Sequence, residues 1–379
     1  MPEAKAASAG VKPGRSPGAW TGLLIGAVPM VMAACASALP WVMLSPGPIH
    51  TGEAPGLSDF QRGWGWVSLT AAVASLACYV AGMLLEEKWF SLLRHSGCLR
   101  APGRVIQQNK TVGVDKLGKV KVGDIEIAYR EYGAGFPLVK IVGFASTMDG
   151  GDPELVAALA ERFRVITFDN RGMGETSAGT RPFTVEQFAE DTTGLMDALG
   201  IERAHVFGIS MGGFIAQELA LRHPEKVEKL VLMASSCGGI DSIPISPEVI
   251  EQLGDFSGTT EERLVRMATL LFPQDWLSGH EAEAREKLTL APRLPSIESV
   301  GKQAAAMRSW QGACDRLDEL KAPTLVIAGT EDQVIDPWNS LLTANKLPGG
   351  KLSMLEGAGH GLTFQCPLDC AGPMIDFLE

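Results

Sequence analysis

Ser210 stands in Gly208-Ile209-Ser210-Met211-Gly212-Gly213, between an apolar run rich in β-formers and an amphipathic helical pattern. A serine at such a strand-to-helix turn is held in a strained backbone conformation of the kind proteins retain where function requires it. Small residues two before and two after it let the chain double back without collision. The hydroxyl then stands above the sheet at a helix N-terminus, whose free amides and dipole favour developing negative charge. This is the nucleophile-elbow arrangement, and its chemistry is attack by a hydroxyl on an acyl carbon.

A serine hydroxyl is a poor nucleophile until a base takes its proton. The chain has six histidines. His50 falls in a loop between two apolar stretches, His95 in a tether, and His280 in a helical insertion. His205 lies within the strand before the turn. His223 is 13 residues along the following helix, about 20 Å from the serine at 1.5 Å per residue. His360, in Gly357-Ala358-Gly359-His360-Gly361, follows the last predicted strand and reaches the same sheet edge as Ser210. The acid that fixes the imidazole tautomer must also lie at a strand's C-terminal end. Asp332, in Gly329-Thr330-Glu331-Asp332, meets that condition, with Asp336 and Asp241 as competitors. Two backbone amides must hold the oxyanion. Met211 supplies one, and the loop Gly143-Phe144-Ala145-Ser146 the other, through Phe144 or, alternatively, Ala145.

These groups require a sheet whose strands end on one edge. From residue 117, strand-like runs alternate with helical ones. A hairpin (KVKV, then IEIAYREY) flanks Gly123-Asp124. LVKIVGF, RVITFD, the elbow strand, LVLMASS, TLVIAGT and KLSMLEG follow, with helical patterns between them. Such alternation predicts an α/β fold, a mostly parallel sheet covered by helices on both faces. Residues 240–318 carry helical segments and no convincing strand. Inserted before the last two strands, they predict a helical cap over the C-terminal sheet edge, where open α/β folds bind ligands. Met267, Leu271, Phe272, Trp276, Met307 and Trp310 are its large apolar side chains. Gly143, Met267, Phe272 and Trp276 are the expected substrate contacts, although most such residues individually serve to hold a cap to its body.

The chain from 117 to 379 resembles the α/β-hydrolase family, in its serine esterase and enol-lactonase-like branch. The resemblance rests on Gly143-Phe144, the run Phe168-Asp169-Asn170-Arg171-Gly172-Met173-Gly174-Glu175-Thr176-Ser177, the elbow at Ser210, Gly329 through Asp332, and Gly359-His360. It implies the chain order Ser, Asp, His and a structural role for the 169–177 turn. Val142 departs from the pattern, which commonly has histidine before that glycine as a buttress to the oxyanion loop.

Ahead of this domain, residues 20–44 and 63–85 contain no charge, and each is long enough to span a bilayer as a helix. Tryptophans 20, 41, 64, 66 and 89 sit near their ends, as in an interfacial belt. Lys5, Lys12 and Arg15 precede the first stretch, and Lys88, Arg94, Arg100 and Arg104 follow the second; the connection between them has only Arg62. The positive-inside rule then predicts a leader at 1–19, a transmembrane hairpin at 20–85 with a short external loop, a tether at 86–116, and a hydrolase domain on the cytoplasmic side of a cell membrane. Seven cysteines with no evident paired framework fit a reducing compartment. Cys366 and Cys370 are spaced for one helix face, and a metal site would need further ligands.

A net charge of −11 argues against nucleic acid as a partner. The expected activity is that of a membrane-anchored serine hydrolase acting on a small apolar ester, lactone or lipid-derived acyl substrate, without metal or organic cofactor. An acyltransferase or C–C hydrolase would use the same triad, and a ligand-sensing scaffold would keep the fold without the chemistry.

Overall fold

The computed structural model describes residues 117–150, 152–288 and 296–379. The leader, the two uncharged stretches and the tether lie outside the described residues. Among the described residues, no helix is long and apolar enough to cross a membrane.

Eight strands form one sheet. In chain order they are β1 (Gly118–Val122), β2 (Ile125–Tyr132), β3 (Pro137–Ile141), β4 (Arg164–Phe168), β5 (Ala204–Ile209), β6 (Val227–Met233), β7 (Thr324–Gly329) and β8 (Lys351–Leu355). Across the sheet the order is β1-β2-β4-β3-β5-β6-β7-β8. β1 and β2 pair antiparallel, as does β2 with β4, and every later pairing is parallel. β7 is buried along its whole length, and β5 nearly so. Strands covered on both faces have this continuous apolar character.

The covering helices are α1 (Pro153–Ala160), α2 (Val185–Ala198), α3 (Met211–Arg222), α8 (Pro337–Lys346), α9 (Leu362–Gln365) and α10 (Pro367–Leu378). α2 and α3 pack one face with Phe188, Leu195, Ile215 and Leu219. α1 and α10 pack the other with Leu155, Leu159, Met374 and Leu378. Each such side chain contributes roughly 1.5–3 kcal/mol through its removal from water.

The insertion is helical, as the sequence predicts. It consists of α4 (Pro247–Leu253), α5 (Thr260–Leu271), α6 (Gln274–Leu288) and α7 (Ile297–Ser309). Polar side chains start three of them: Ser246, Thr259 and Ser296 accept the amides of Val249, Glu262 and Ser299, and Glu262 completes a capping box. Such caps are each worth about 1 kcal/mol.

One sequence expectation is corrected here. Cys237, after β6, and Cys314, in a short 3₁₀ turn after α7, form a disulfide. It joins the two ends of the insertion, so a pairing invisible in the spacing of the cysteines is created by the return of the cap to the body.

Candidate active site

Ser210 has φ 54° and ψ −122°, a left-handed conformation that costs a non-glycine residue about 1–3 kcal/mol. The surroundings hold it there. Its N–H donates to Met233 O at 2.9 Å, and its carbonyl accepts from Gly213 N at 2.8 Å and from the Ser235 hydroxyl at 2.9 Å. A Cβ on Gly208 would meet the carbonyl of Gly212, and one on Gly212 would meet that of Ile141. Both glycines are therefore required by close backbone approach at the elbow. Met211 is the first residue of α3, so its amide has no carbonyl a turn earlier in the helix to bond.

The structure brings His360 and Asp332 together. Nδ1 of His360 lies 2.8 Å from Asp332 Oδ2, with both residues buried. The other carboxylate oxygen, Oδ1, accepts the amides of Val334 and Ile335 at 2.8 and 2.9 Å. That pair of bonds fixes the carboxylate plane and leaves Oδ2 for the imidazole. A carboxylate at Nδ1 selects the tautomer whose Nε2 is the free acceptor, as a general base requires.

The competing acids are engaged elsewhere. Asp336 caps α8 by accepting Trp338 N at 2.9 Å, and Asp241 pairs with Lys346 at 2.6 Å on the surface. The other described histidines are also accounted for. His205 is buried between the rings of Phe136 and Phe163, and burial pushes its pKa down to about 4. His223 lies 3.1 Å from Glu190. His280 stacks on Trp276 and bonds its carbonyl at 2.8 Å.

Gly143 lies against the elbow, where a Cβ would stand 3.3 Å from Ser210 Cβ and 3.8 Å from its Oγ. Beyond it the loop that follows β3 is braced at several points. Asn170 Nδ2 donates to Val142 O at 3.2 Å, and Asp169 accepts Met148 N at 2.8 Å with one oxygen and Glu175 N at 2.8 Å with the other. The 169–177 turn therefore buttresses the loop that Val142 was expected to weaken. Burial, the largest influence, pushes the Asp169 carboxyl up to about 6. Arg171, fully buried, joins Asp191 on α2 and Asp124 in the β1–β2 turn. Burial opposes its charge, but those two carboxylates outweigh the penalty and hold it above its usual range. The hydrogen bond to Arg171 in turn holds Asp124 far below the usual carboxylate range.

Of the two candidate amides in this loop, Ala145 N is taken, donating to Gln303 Oε1 on α7 at 3.0 Å. Of the two candidates, that bond leaves the amide of Phe144. The phenyl ring of Phe144 approaches Gly254 at the end of α4, so the cap floor rests on this loop.

The cap residues divide by role. Phe272 is buried with Ala268, Ala284 and Trp276, and its ring approaches Gly361 beside His360. Trp276 is half-buried, 4.9 Å from the Phe272 ring. Met267 is half-buried on α5. Trp310 holds the cap to the body: it stacks on Phe214 and donates to buried Glu218 at 2.9 Å, which also receives Arg316 and Arg222. Gln303 is absent from the residues that sequence reasoning selected. Its signal was present as a polar residue in the apolar stripe of Val300, Ala304 and Met307. Cys366 and Cys370 are free thiols beside the carbonyl of Leu362. Among the described residues, no three His, Cys, Asp or Glu gather to hold a metal ion.

A mostly parallel sheet with a serine elbow after β5, an acid after β7 and a histidine after β8 is the plan of the α/β-hydrolases, and comparison with known proteins agrees on the fold. The profile described as alpha/beta hydrolase fold matches residues 137–270. A protein of Mycobacterium tuberculosis, provisionally named a non-heme bromoperoxidase, BpoC, is 32% identical over 272 residues, 67% of this chain and 97% of that protein. A Caulobacter protein provisionally named a carbamate hydrolase, RutD, is 32% identical over 226 residues, 59% of this chain and 83% of that one. The solved structure of a thermophilic esterase from Thermogutta terrifontis, with malate bound, superposes with a TM-score of 0.61 at 25% identity, covering 70% of this chain and 98% of that one. The chain belongs to the alpha/beta hydrolase fold family.

Proposed function

We propose that this chain is a serine hydrolase that cleaves an ester or lactone-like acyl substrate, with Ser210 as nucleophile, His360 as general base and Asp332 as its orienting acid. The observation that carries the reading is the buried 2.8 Å bond between Asp332 and His360 Nδ1, on the sheet edge where Ser210 is held left-handed at the start of α3. His360 Nε2 takes the proton of Ser210 as Oγ bonds to the substrate carbonyl carbon. The amides of Met211 and Phe144 receive the oxyanion. Collapse breaks the bond to the leaving alcohol, which departs with the proton from His360. Water, deprotonated by the same imidazole, then releases the acid and restores the serine.

The relatives support an acyl substrate, since an esterase and a protein named for carbamate hydrolysis are among them. The uncharged stretches at 20–44 and 63–85 and their basic flanks support anchoring in a membrane, with the hydrolase domain on the cytoplasmic side. A small apolar ester or lipid-derived acyl compound drawn from the bilayer fits that placement.

The test uses the full chain in detergent or native membranes. A fluorophosphonate probe is expected to label Ser210, and Ser210→Ala to abolish both labelling and hydrolysis of p-nitrophenyl esters while retaining the wild-type melting temperature. Undiminished turnover by the folded Ser210→Ala variant would refute the assignment.

A further inference from the structure

Gln303 is the one fully buried amide on the inner face of α7, among Val300, Ala304 and Ala306. Its two arms fare differently. Oε1 accepts the backbone N–H of Ala145 at 3.0 Å. Nε2 is buried and has no hydrogen-bond partner among the described residues. A buried amide with one arm unsatisfied costs about 1–3 kcal/mol relative to a satisfied one, and an apolar side chain of the same length would fill this position more favourably. Packing therefore does not account for the glutamine. What it gains is its bond to Ala145.

Ala145 is itself unusual. Its φ is 54°, and with Ser210 and Ala234 it makes up the described non-glycine residues in the left-handed region. Such a residue keeps its conformation only where its surroundings over-determine it. Ala145 directly follows Phe144, so the direction of its peptide and that of the Phe144 amide are set together.

We propose that Gln303 is a positioning residue for the oxyanion hole: by holding the Ala145 amide it fixes the 143–145 loop so that the Phe144 N–H is directed at the tetrahedral intermediate. The inference rests on the serine-hydrolase reading above. It also assigns the cap a part in the chemistry, because the group that aligns the loop comes from α7 and not from the sheet.

The experiment compares wild type with Gln303→Met, which keeps length and volume but loses the acceptor, and with Gln303→Asn, which keeps an amide one methylene too short. An ester and its thionoester serve as paired substrates, because sulfur is a poor acceptor for oxyanion-hole donors. In both variants kcat is expected to fall roughly 10- to 100-fold with KM little changed, and the preference for ester over thionoester to shrink. The melting temperature of Gln303→Met is expected to stay close to wild type, since the orphan Nε2 is removed along with the bond. A folded variant with wild-type kcat and ester preference overturns the proposal, as does a loss of activity that tracks only the unfolded fraction. If Gln303→Met does not fold, Gln303→Asn decides by the same two readouts. Wild type that neither labels with fluorophosphonate nor turns over the ester refutes instead the underlying assignment of Ser210.

Discussion

The bond between Cys237 and Cys314 closes a loop of 77 residues, and replacing both cysteines with alanine removes that constraint from the unfolded chain. The chain-entropy relation, applied to this separation, gives a ceiling of about 4.5 kcal/mol at 25 °C. For a folded unit of this size 1 kcal/mol shifts the melting temperature by about 2 °C, so the double variant is expected to melt up to about 9 °C below the oxidised wild type. Both sulfurs are buried, and the small loss of packing adds in the same direction. Calorimetry of the two proteins without reductant measures the shift, and peptide mapping after alkylation checks the bond directly. The reasoning fails if wild type and variant melt within about 2 °C of each other while mapping shows the two cysteines linked. The same mapping bears on compartment. Disulfides persist in oxidising surroundings, so alkylation in intact cells before lysis is expected to find both thiols free if the domain faces the cytoplasm.

Two further substitutions test the site and the sheet. Asp332→Asn retains an acceptor for the amides of Val334 and Ile335 but favours the wrong imidazole tautomer, so kcat for a p-nitrophenyl ester is expected to fall about 10⁴-fold with the fold preserved; a loss under tenfold would remove Asp332 from the triad. His205 is depressed to about 4 from 6.5, so the unfolded chain takes up its proton first: this contribution is neutral above pH 6.5, and stability is lost as pH falls toward 4, by about 3 kcal/mol in all. In urea titrations at pH 7 and pH 4, His205→Phe is expected to lose about 3 kcal/mol less than wild type between the two, and equal losses would show that this imidazole is not held neutral.

The eight strands were legible as short β-forming runs between turn residues, alternating in β1 and β2 and more continuously apolar in the centre of the sheet, and the cap because residues 240–318 carry helical segments and no convincing strand. The histidine was found by elimination, since the remaining five had places in the chain that could not reach the elbow. The acid was narrower but still open: Asp332 and Asp336 both follow β7, and only the structure shows one accepting the imidazole and the other capping α8. Gln303 and the disulfide were harder for a shared reason. Each joins parts of the chain that meet only after the insertion has returned to the sheet, and no local pattern of spacing encodes that return. Val142 had pointed to a poorly supported loop, whereas Asn170, already in the family turn, supplies the missing bond to its carbonyl.

Gly361 N donates to Leu271 O at 2.8 Å, fastening the end of α5 to the loop that carries His360, and Gln303 fastens α7 to the loop that carries Phe144. The helical cap is thus bolted to the proposed catalytic centre on two sides, beside His360 and beside Phe144. Swinging it away as one rigid lid would break both fastenings and shift the two groups to which the proposal gives the proton and the oxyanion. On the serine-hydrolase proposal, an acyl substrate would then reach Ser210 past helices that stay in place, and the spacing of those helices would sort one acyl chain from another.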